Sequence, residues 1–181
     1  MKQRWALFIS GGGTTAQAVL DCVSEVDVRL VISSRKNAFG LVRARRWGIP
    51  TYTLDQKIDW DQLNALLESY QIQRIFLLGF MKILPSDFCE KWKRRILNVH
   101  PSLLPQFKGV RAFDQSFAAN QPMGVSIHYV TAKMDEDPLV CQQRVIEKPD
   151  VISEKRARIY MGLSEQFLIR KAVIPQKVRF V

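Results

Sequence analysis

A doubly wound α/β sheet, mostly parallel and covered by helices on both faces, is the fold class this sequence predicts. Three observations carry it. Short β-branched or aliphatic runs alternate with helix-like segments along the whole chain, which is the rhythm of parallel strands joined by crossover helices. A glycine-rich turn joins the first strand to the first helix. No internal repeat, low-complexity tract or linker breaks the alternation, and 181 residues at 47% hydrophobic and 24% charged suit one domain with a substantial core.

The elements follow in order. Trp5–Ser10 is an aromatic and aliphatic run and reads as the first strand; a helix begins at about Thr14, just past the glycines. Val28–Ser33 is the second strand, Gly40–Trp47 the second helix and Thr51–Leu54 a short third strand after the Gly48-Ile49-Pro50 break. A helix near Trp60–Tyr70 leads to the buried-looking strand Arg74–Leu78, and a helix near Pro85–Lys93 leads to the strand Ile96–Val99. A proline-bounded loop, Pro101–Gly109, is followed by a helix near Ala112–Ala119, the strands Gly124–Val130 and Leu139–Val145, and a long helix from about Ser153 to Ala172. In open sheets of this class ligands sit at the carboxyl ends of the strands, around the point where strand order reverses. The loops after the first strand, after Leu78 and after Val99 therefore concentrate the candidates.

Bulk properties exclude several function classes. No apolar run approaches the roughly 18 residues of a membrane span, and Met1-Lys2-Gln3-Arg4 leads straight into a strand instead of a signal-peptide core. The expectation is a cytoplasmic protein with no membrane partner. Cys22, Cys89 and Cys141 are odd in number and widely separated, against both a disulfide framework and a zinc site. No metal is expected. The net charge of +10 favours anionic ligands through its long-range field. Its clusters at Arg43-Ala44-Arg45-Arg46, Lys91-Trp92-Lys93-Arg94-Arg95 and Lys155-Arg156-Ala157-Arg158 fall in helix-like patterns and read as solvated faces. Without an RNA- or DNA-binding motif, nucleic acid is not an expected partner.

Asn98-Val99-His100-Pro101-Ser102-Leu103-Leu104-Pro105 is the most informative stretch. Successive strand side chains point to opposite faces, so Asn98 and His100 share one. An imidazole takes a proton near neutral pH, and an amide N–H donates to an oxyanion, a combination suited to acyl transfer. Ser10-Gly11-Gly12-Gly13-Thr14-Thr15-Ala16 closes a strand and opens a helix, which suits a phosphate on backbone amides or simply a tight turn. It matches G-x-G-x-x-A, but the second strand ends in Ser33-Ser34-Arg35-Lys36 without the acidic residue a dinucleotide ribose needs, so a single phosphate fits better than NAD. Arg35 and Lys36 stand as further phosphate contacts or as solvated charge. His128, alternating with apolar neighbours in Ser126-Ile127-His128-Tyr129-Val130, reads as a supporting, hydrogen-bonded residue.

The succession of the glycine loop, Ser33-Ser34-Arg35-Lys36-Asn37-Ala38-Phe39-Gly40, Gly48-Ile49-Pro50, Gly79-Phe80-Met81-Lys82-Ile83-Leu84, the Asn98–Pro105 stretch and Gly124–Val130 resembles the folate-dependent formyltransferases, and among them the phosphoribosylglycinamide formyltransferases. The likeness runs over nearly the whole chain. It implies a Rossmann-like formyltransferase fold in a single domain, with a phosphate-binding half at about 1–97 and a folate and catalytic half at about 98–181. It also implies transfer of a formyl group from 10-formyltetrahydrofolate, as co-substrate, to the amine of glycinamide ribonucleotide in purine biosynthesis. The resemblance carries over Asn98, His100 and Asp135 as catalytic residues, with Asp135 orienting the imidazole. It assigns Gly11, Gly12, Gly13 and Thr14 to the substrate phosphate, and Phe80, Met81, Lys82, Ile83 and Leu84, with Glu136 and Asp137, to folate. The implied partners are small molecules, a phosphorylated ribosyl amine and folate, for a monomer or homodimer.

Departures from the family pattern are local. Where the family reads Asp-Gly-Gly-Pro this chain has Asp135-Glu136-Asp137-Pro138, so two carboxylates replace two glycines. The expectation is a narrower folate pocket and a higher proton affinity for His100. A histidine-containing family segment after Gly109 becomes Arg111-Ala112-Phe113-Asp114-Gln115, and the family's ribose-contacting glutamate aligns on Glu165 only with a small shift, so Glu165 is not relied on. Rival readings are a formyltetrahydrofolate deformylase, with water in place of the amine, and a non-catalytic folate- or nucleotide-binding descendant.

Overall fold

The computed structural model describes residues 2–131 and 138–174. Its strands are β1 (Arg4–Ile9), β2 (Asp27–Ser33), β3 (Thr51–Thr53), β4 (Arg74–Leu77), β5 (Ile96–His100), β6 (Met123–Tyr129) and β7 (Leu139–Ile146). They form one sheet in the order β3-β2-β1-β4-β5-β6-β7. Pairing is parallel from β3 to β5 and antiparallel from β5 to β6 and β6 to β7. The predicted fold class holds, and strand order reverses between β1 and β4. Position 97/98, the expected border between halves, falls inside β5, so both halves share this sheet.

Helices α1 (Thr14–Leu20), α2 (Phe39–Arg46), α3 (Trp60–Ser69), α4 (Ser86–Lys91), α5 (Ala112–Ala118) and α6 (Glu154–Val173) cover both faces. Strand alternation sorts the core into two layers. Leu7, Ile9, Val31, Phe76 and Ile127 pack toward α1, α2 and α6, whereas Ala6, Phe8, Ile32, Ile75 and Ile96 pack toward α3 and α4. Local chemistry sets the helix starts: Asp59 accepts from the amides of Asp61 and Gln62 at α3, and Ser153 accepts from Arg156 N–H at α6. Element ends differ from the sequence-based bounds by one or two residues, as fraying does, and a 3₁₀ turn at Pro149–Val151 precedes α6. Among the described residues no helix is long and apolar enough to cross a membrane.

On the α3–α4 face the row Ile96, Asn98, His100 starts in the core and ends at the carboxyl edge. Ile96 is fully buried in that layer. His100 is 5% exposed, yet it lies under the Pro101–Gly109 loop, whose Phe107 carbonyl meets its ring.

Candidate active site

The turn after β1 is held from several sides. Gly13 caps α1 with φ 69°, a left-handed conformation suited to glycine, and a Cβ there would stand 2.5 Å from Gly40 Cα. The close approach of α2 to the turn depends on that missing atom. Gly40 N–H donates to the Gly11 carbonyl at 3.1 Å, and Arg43 Nε donates to the Gly12 carbonyl at 3.0 Å. Arg43 also gives Nη1 to Gln17 Oε1 at 3.0 Å while its guanidinium lies 5.2 Å from the Phe39 ring centre. Sequence reading took this arginine as solvated charge, and only the packing of α2 against the turn reveals its contacts. Gly11, Gly12 and Thr14 are exposed and Gly13 is half-buried, whereas Ala16 is buried. Arg35 and Lys36 are exposed nearby in sequence to the β2 end.

The turn after β4 is tied to the first. Ser10 Oγ accepts from Met81 N–H at 2.8 Å and lies 2.5 Å from Ser34 Oγ, so one buried hydroxyl joins the ends of β1, β2 and β4. That junction is the point where strand order reverses. The structure divides the Phe80–Leu84 stretch. Met81, Lys82 and Ile83 are exposed, with Met81 at 69% and Ile83 at 79%, whereas Leu84 is buried in the α3–α4 layer and Phe80 packs edge-on against Phe8 with centres 5.2 Å apart.

Asn98 and His100 share a face, as the alternation requires. Antiparallel register sets His128 opposite Asn98 and Ser126 opposite His100. His128 Nδ1–H donates to the Tyr129 carbonyl at 2.9 Å, which leaves the Nε2 lone pair to accept from Asn98 Nδ2–H at 3.1 Å. This fixes the orientation of the Asn98 amide, and one hydrogen of its amino group is used in doing so. The hydrogen bonding read for His128 is observed. His100 Nε2–H donates to the Phe107 carbonyl at 2.9 Å, and the two imidazoles meet edge to face at 6.4 Å.

The loop above them is built from buried polar contacts. Ser126 Oγ donates to the Ser102 carbonyl at 2.6 Å and accepts from Leu104 N–H at 3.1 Å; Gln142 Nε2 donates to that hydroxyl at 2.8 Å and to the Leu104 carbonyl at 2.9 Å. Leu103 packs so closely on Gly124 that a Cβ there would lie 2.4 Å from Leu103 Cδ2. Ser126 and Gln142 were not foreseen as loop anchors, because their roles need the β5–β6–β7 register.

Asp135, Glu136 and Asp137 lie outside the described residues. Glu165 lies inside them, next to the glycine turn: Thr15 Oγ1–H donates to its Oε2 at 3.5 Å where α6 crosses α1. Burial pushes its carboxyl up to about 7, against a smaller lowering by the Thr15 hydroxyl. The substituted segment Arg111–Gln115 opens α5 and is tied to α6. Asp114 accepts from Arg158 at 2.6 Å and from Arg111 at 3.1 Å, two contacts that hold its carboxyl below the usual range.

Set beside known proteins, residues 3–161 match the family described as formyl transferase. The phosphoribosylglycinamide formyltransferase of Escherichia coli is 36% identical over 150 residues, covering 77% of this chain and 71% of that protein. The human trifunctional purine biosynthetic protein adenosine-3 is 34% identical over 173 residues, covering 89% of this chain and 17% of that protein. The chain thus spans about a sixth of the length of the trifunctional relatives it matches. A crystal structure of phosphoribosylglycinamide formyltransferase from Anaplasma phagocytophilum superposes with a TM-score of 0.90 at 31% identity, covering 96% of this chain and 86% of that one. With the turn after β1, the Ser10 junction and the Asn98–His100 face all in place, the chain belongs to the formyl transferase family.

Proposed function

We propose that this protein transfers a formyl group from 10-formyltetrahydrofolate to the amine of glycinamide ribonucleotide. The observation that carries the reading is the convergence, at one sheet edge, of a glycine turn suited to a phosphate and a strand face bearing Asn98 and His100. The identities to formyltransferases of purine biosynthesis support it over the deformylase alternative. In this reading the amides of Gly11, Gly12, Gly13 and Thr14 receive the phosphate of the amine substrate. The exposed Met81, Lys82 and Ile83, with the half-buried Phe80 and the buried Leu84 beneath them, and Glu136 and Asp137 border the folate.

The amine attacks the formyl carbon, negative charge develops on the formyl oxygen, and collapse of that oxyanion breaks the bond between the formyl carbon and the folate nitrogen. The second Nδ2 hydrogen of Asn98, the one His128 does not hold, donates to that oxyanion. His100 Nε2, which carries a proton in this structure, gives it to the folate nitrogen and is reprotonated by the attacking amine, with Asp135 orienting the ring. The Phe107 carbonyl now on Nε2 is then the partner that the reacting groups displace. The substrates are soluble small molecules and the setting is cytoplasmic.

The test is to incubate the purified protein with 10-formyltetrahydrofolate, with and without glycinamide ribonucleotide, and follow loss of the formyl donor. Amine-dependent loss is the expected result. Loss that is independent of amine establishes deformylation instead, and saturable folate binding without turnover establishes a binding protein.

A further inference from the structure

Folding gathers much of the +10 charge at the edge of the sheet opposite the candidate active site. Four adjacent strands each carry an arginine within three residues of, or just before, their amino-terminal ends. In sheet order these are Arg29 of β2, Arg4 of β1, Arg74 of β4 and Arg95, the residue before β5. The register sets them at nearly one level along the rim but alternates their faces: Arg74 pairs with Trp5 and shares its α1–α2 side, Arg4 one residue earlier turns to the α3–α4 side, and Arg29 is the extra residue of a bulge between Val28 and Leu30. At a strand spacing of about 4.8 Å the row spans roughly 14 Å.

Among the described residues, three of these four arginines have no carboxylate partner. Arg29 pairs with Asp27 at 2.7 Å, but Arg4 donates to the Gln71 carbonyl, Arg74 lies over Trp5 and Arg95 lies over Trp92. Arg45 and Arg46 add charge from the last turn of α2, whereas Lys91 at the end of α4 is paired with Glu68 at 2.8 Å. The helix dipole accounts for those helix-end cations and not for the arginines at the strand heads.

The same edge holds a cavity of about 620 Å³, within the range of ligand sites. Lys2 and Arg29 line it with the rings of Trp47 and Tyr70, and Asp27 is its one carboxylate. Trp47 is 45% exposed, large for a tryptophan with no aromatic partner among the described contacts. Aromatic faces beside a row of cations are what single-stranded nucleic acid binds, through stacked bases and neutralised phosphates. A duplex offers no unstacked base, and an acidic protein has no use for the rings.

We propose that this edge is a second binding surface, which holds a single-stranded polynucleotide with a base against Trp47 and Tyr70 and successive phosphates along the arginine row. The extent of the row beyond the cavity favours a strand over a free nucleotide.

The test is fluorescence anisotropy with labelled oligouridylate and oligoadenylate of about 12 nucleotides. Three phosphates, one for each arginine without a carboxylate partner, predict an affinity that falls on the order of 20-fold between about 50 and 200 mM salt. Trp47→Ala is expected to weaken binding roughly 5- to 100-fold without changing the salt slope. The pair Arg74→Gln and Arg95→Gln is expected to flatten that slope, and circular dichroism with the melting temperature of each variant reports that it folds. No binding at low salt overturns the proposal. So does equal affinity for a duplex, for polyglutamate or for a nucleoside monophosphate, and so does a Trp47→Ala variant that folds and binds like the parent.

Discussion

The turn after β1 and the strand pair β5–β6 occupy one edge of one sheet, but they are made of different materials. The turn is a backbone structure. Its shape depends on a left-handed Gly13, on the 2.5 Å that separates an added Cβ from Gly40, and on Arg43 gripping a carbonyl from behind. The β5–β6 pair is a side-chain structure in ordinary strand geometry, where function rests on which atom of His128 carries the proton and which way the Asn98 amide turns. The first should tolerate exchange of polar side chains and fail when an atom is added. The second should tolerate small changes of shape and fail when a donor or acceptor is lost.

The largest effect expected tests the second half of that contrast. His100→Ala should lower kcat by roughly 100- to 10,000-fold, the range of a general acid–base group, while circular dichroism and the denaturation midpoint stay close to wild type. Turnover near wild type in a folded variant refutes the assigned role. Next, Gly13→Ala should cost about 1–3 kcal/mol of stability through its positive φ and its contact with Gly40. It should also raise KM for the phosphorylated amine more than it lowers kcat. A variant with wild-type melting and KM shows that the turn is not the phosphate site.

A smaller effect separates positioning from chemistry. His128→Phe removes the acceptor for Asn98 Nδ2–H and leaves the amide free to turn, so kcat should fall about 10-fold, the worth of one hydrogen bond. KM should change little. His128→Gln, which restores an acceptor, should recover part of the loss. If both variants fall alike, the bond to Asn98 is not what His128 supplies.

The sequence makes the two regions legible to different degrees, for physical reasons. Strand and helix periods are local, so β1 to β5 and α6 could be placed within a residue or two. Asn98 and His100 could be put on one face because strand alternation has a fixed period of two. Pairing is not local. That His128 meets Asn98, that Ser126 and Gln142 hold the loop over His100, and that four arginines line one sheet edge all depend on strand order and register. The Phe80–Leu84 stretch shows the same limit from another side, because composition alone does not tell an exposed Ile83 from a buried Leu84.

Glu165 lies between the two materials, a side chain whose surroundings are set by helix packing against the backbone turn, and it gives the subtlest test. Its carboxyl is raised from an ordinary 4.5 to about 7 by burial at the α1–α6 crossing. The folded protein therefore holds a proton there that the unfolded chain gives up over the same pH range. The associated stability is present below about 4.5 and is lost as pH rises through about 7. Glu165→Gln, which cannot ionise, should flatten that part of the denaturation midpoint's pH profile and gain on wild type above pH 7. The charge also acts on the neighbouring turn, where an ionised Glu165 opposes an incoming phosphate and a neutral one does not. In wild type, KM for the phosphorylated amine should rise across the same interval, and in the variant that rise should vanish. If stability flattens but KM still rises, Glu165 is a buried acid of the helix crossing alone, and the turn beside it does not bind the phosphate.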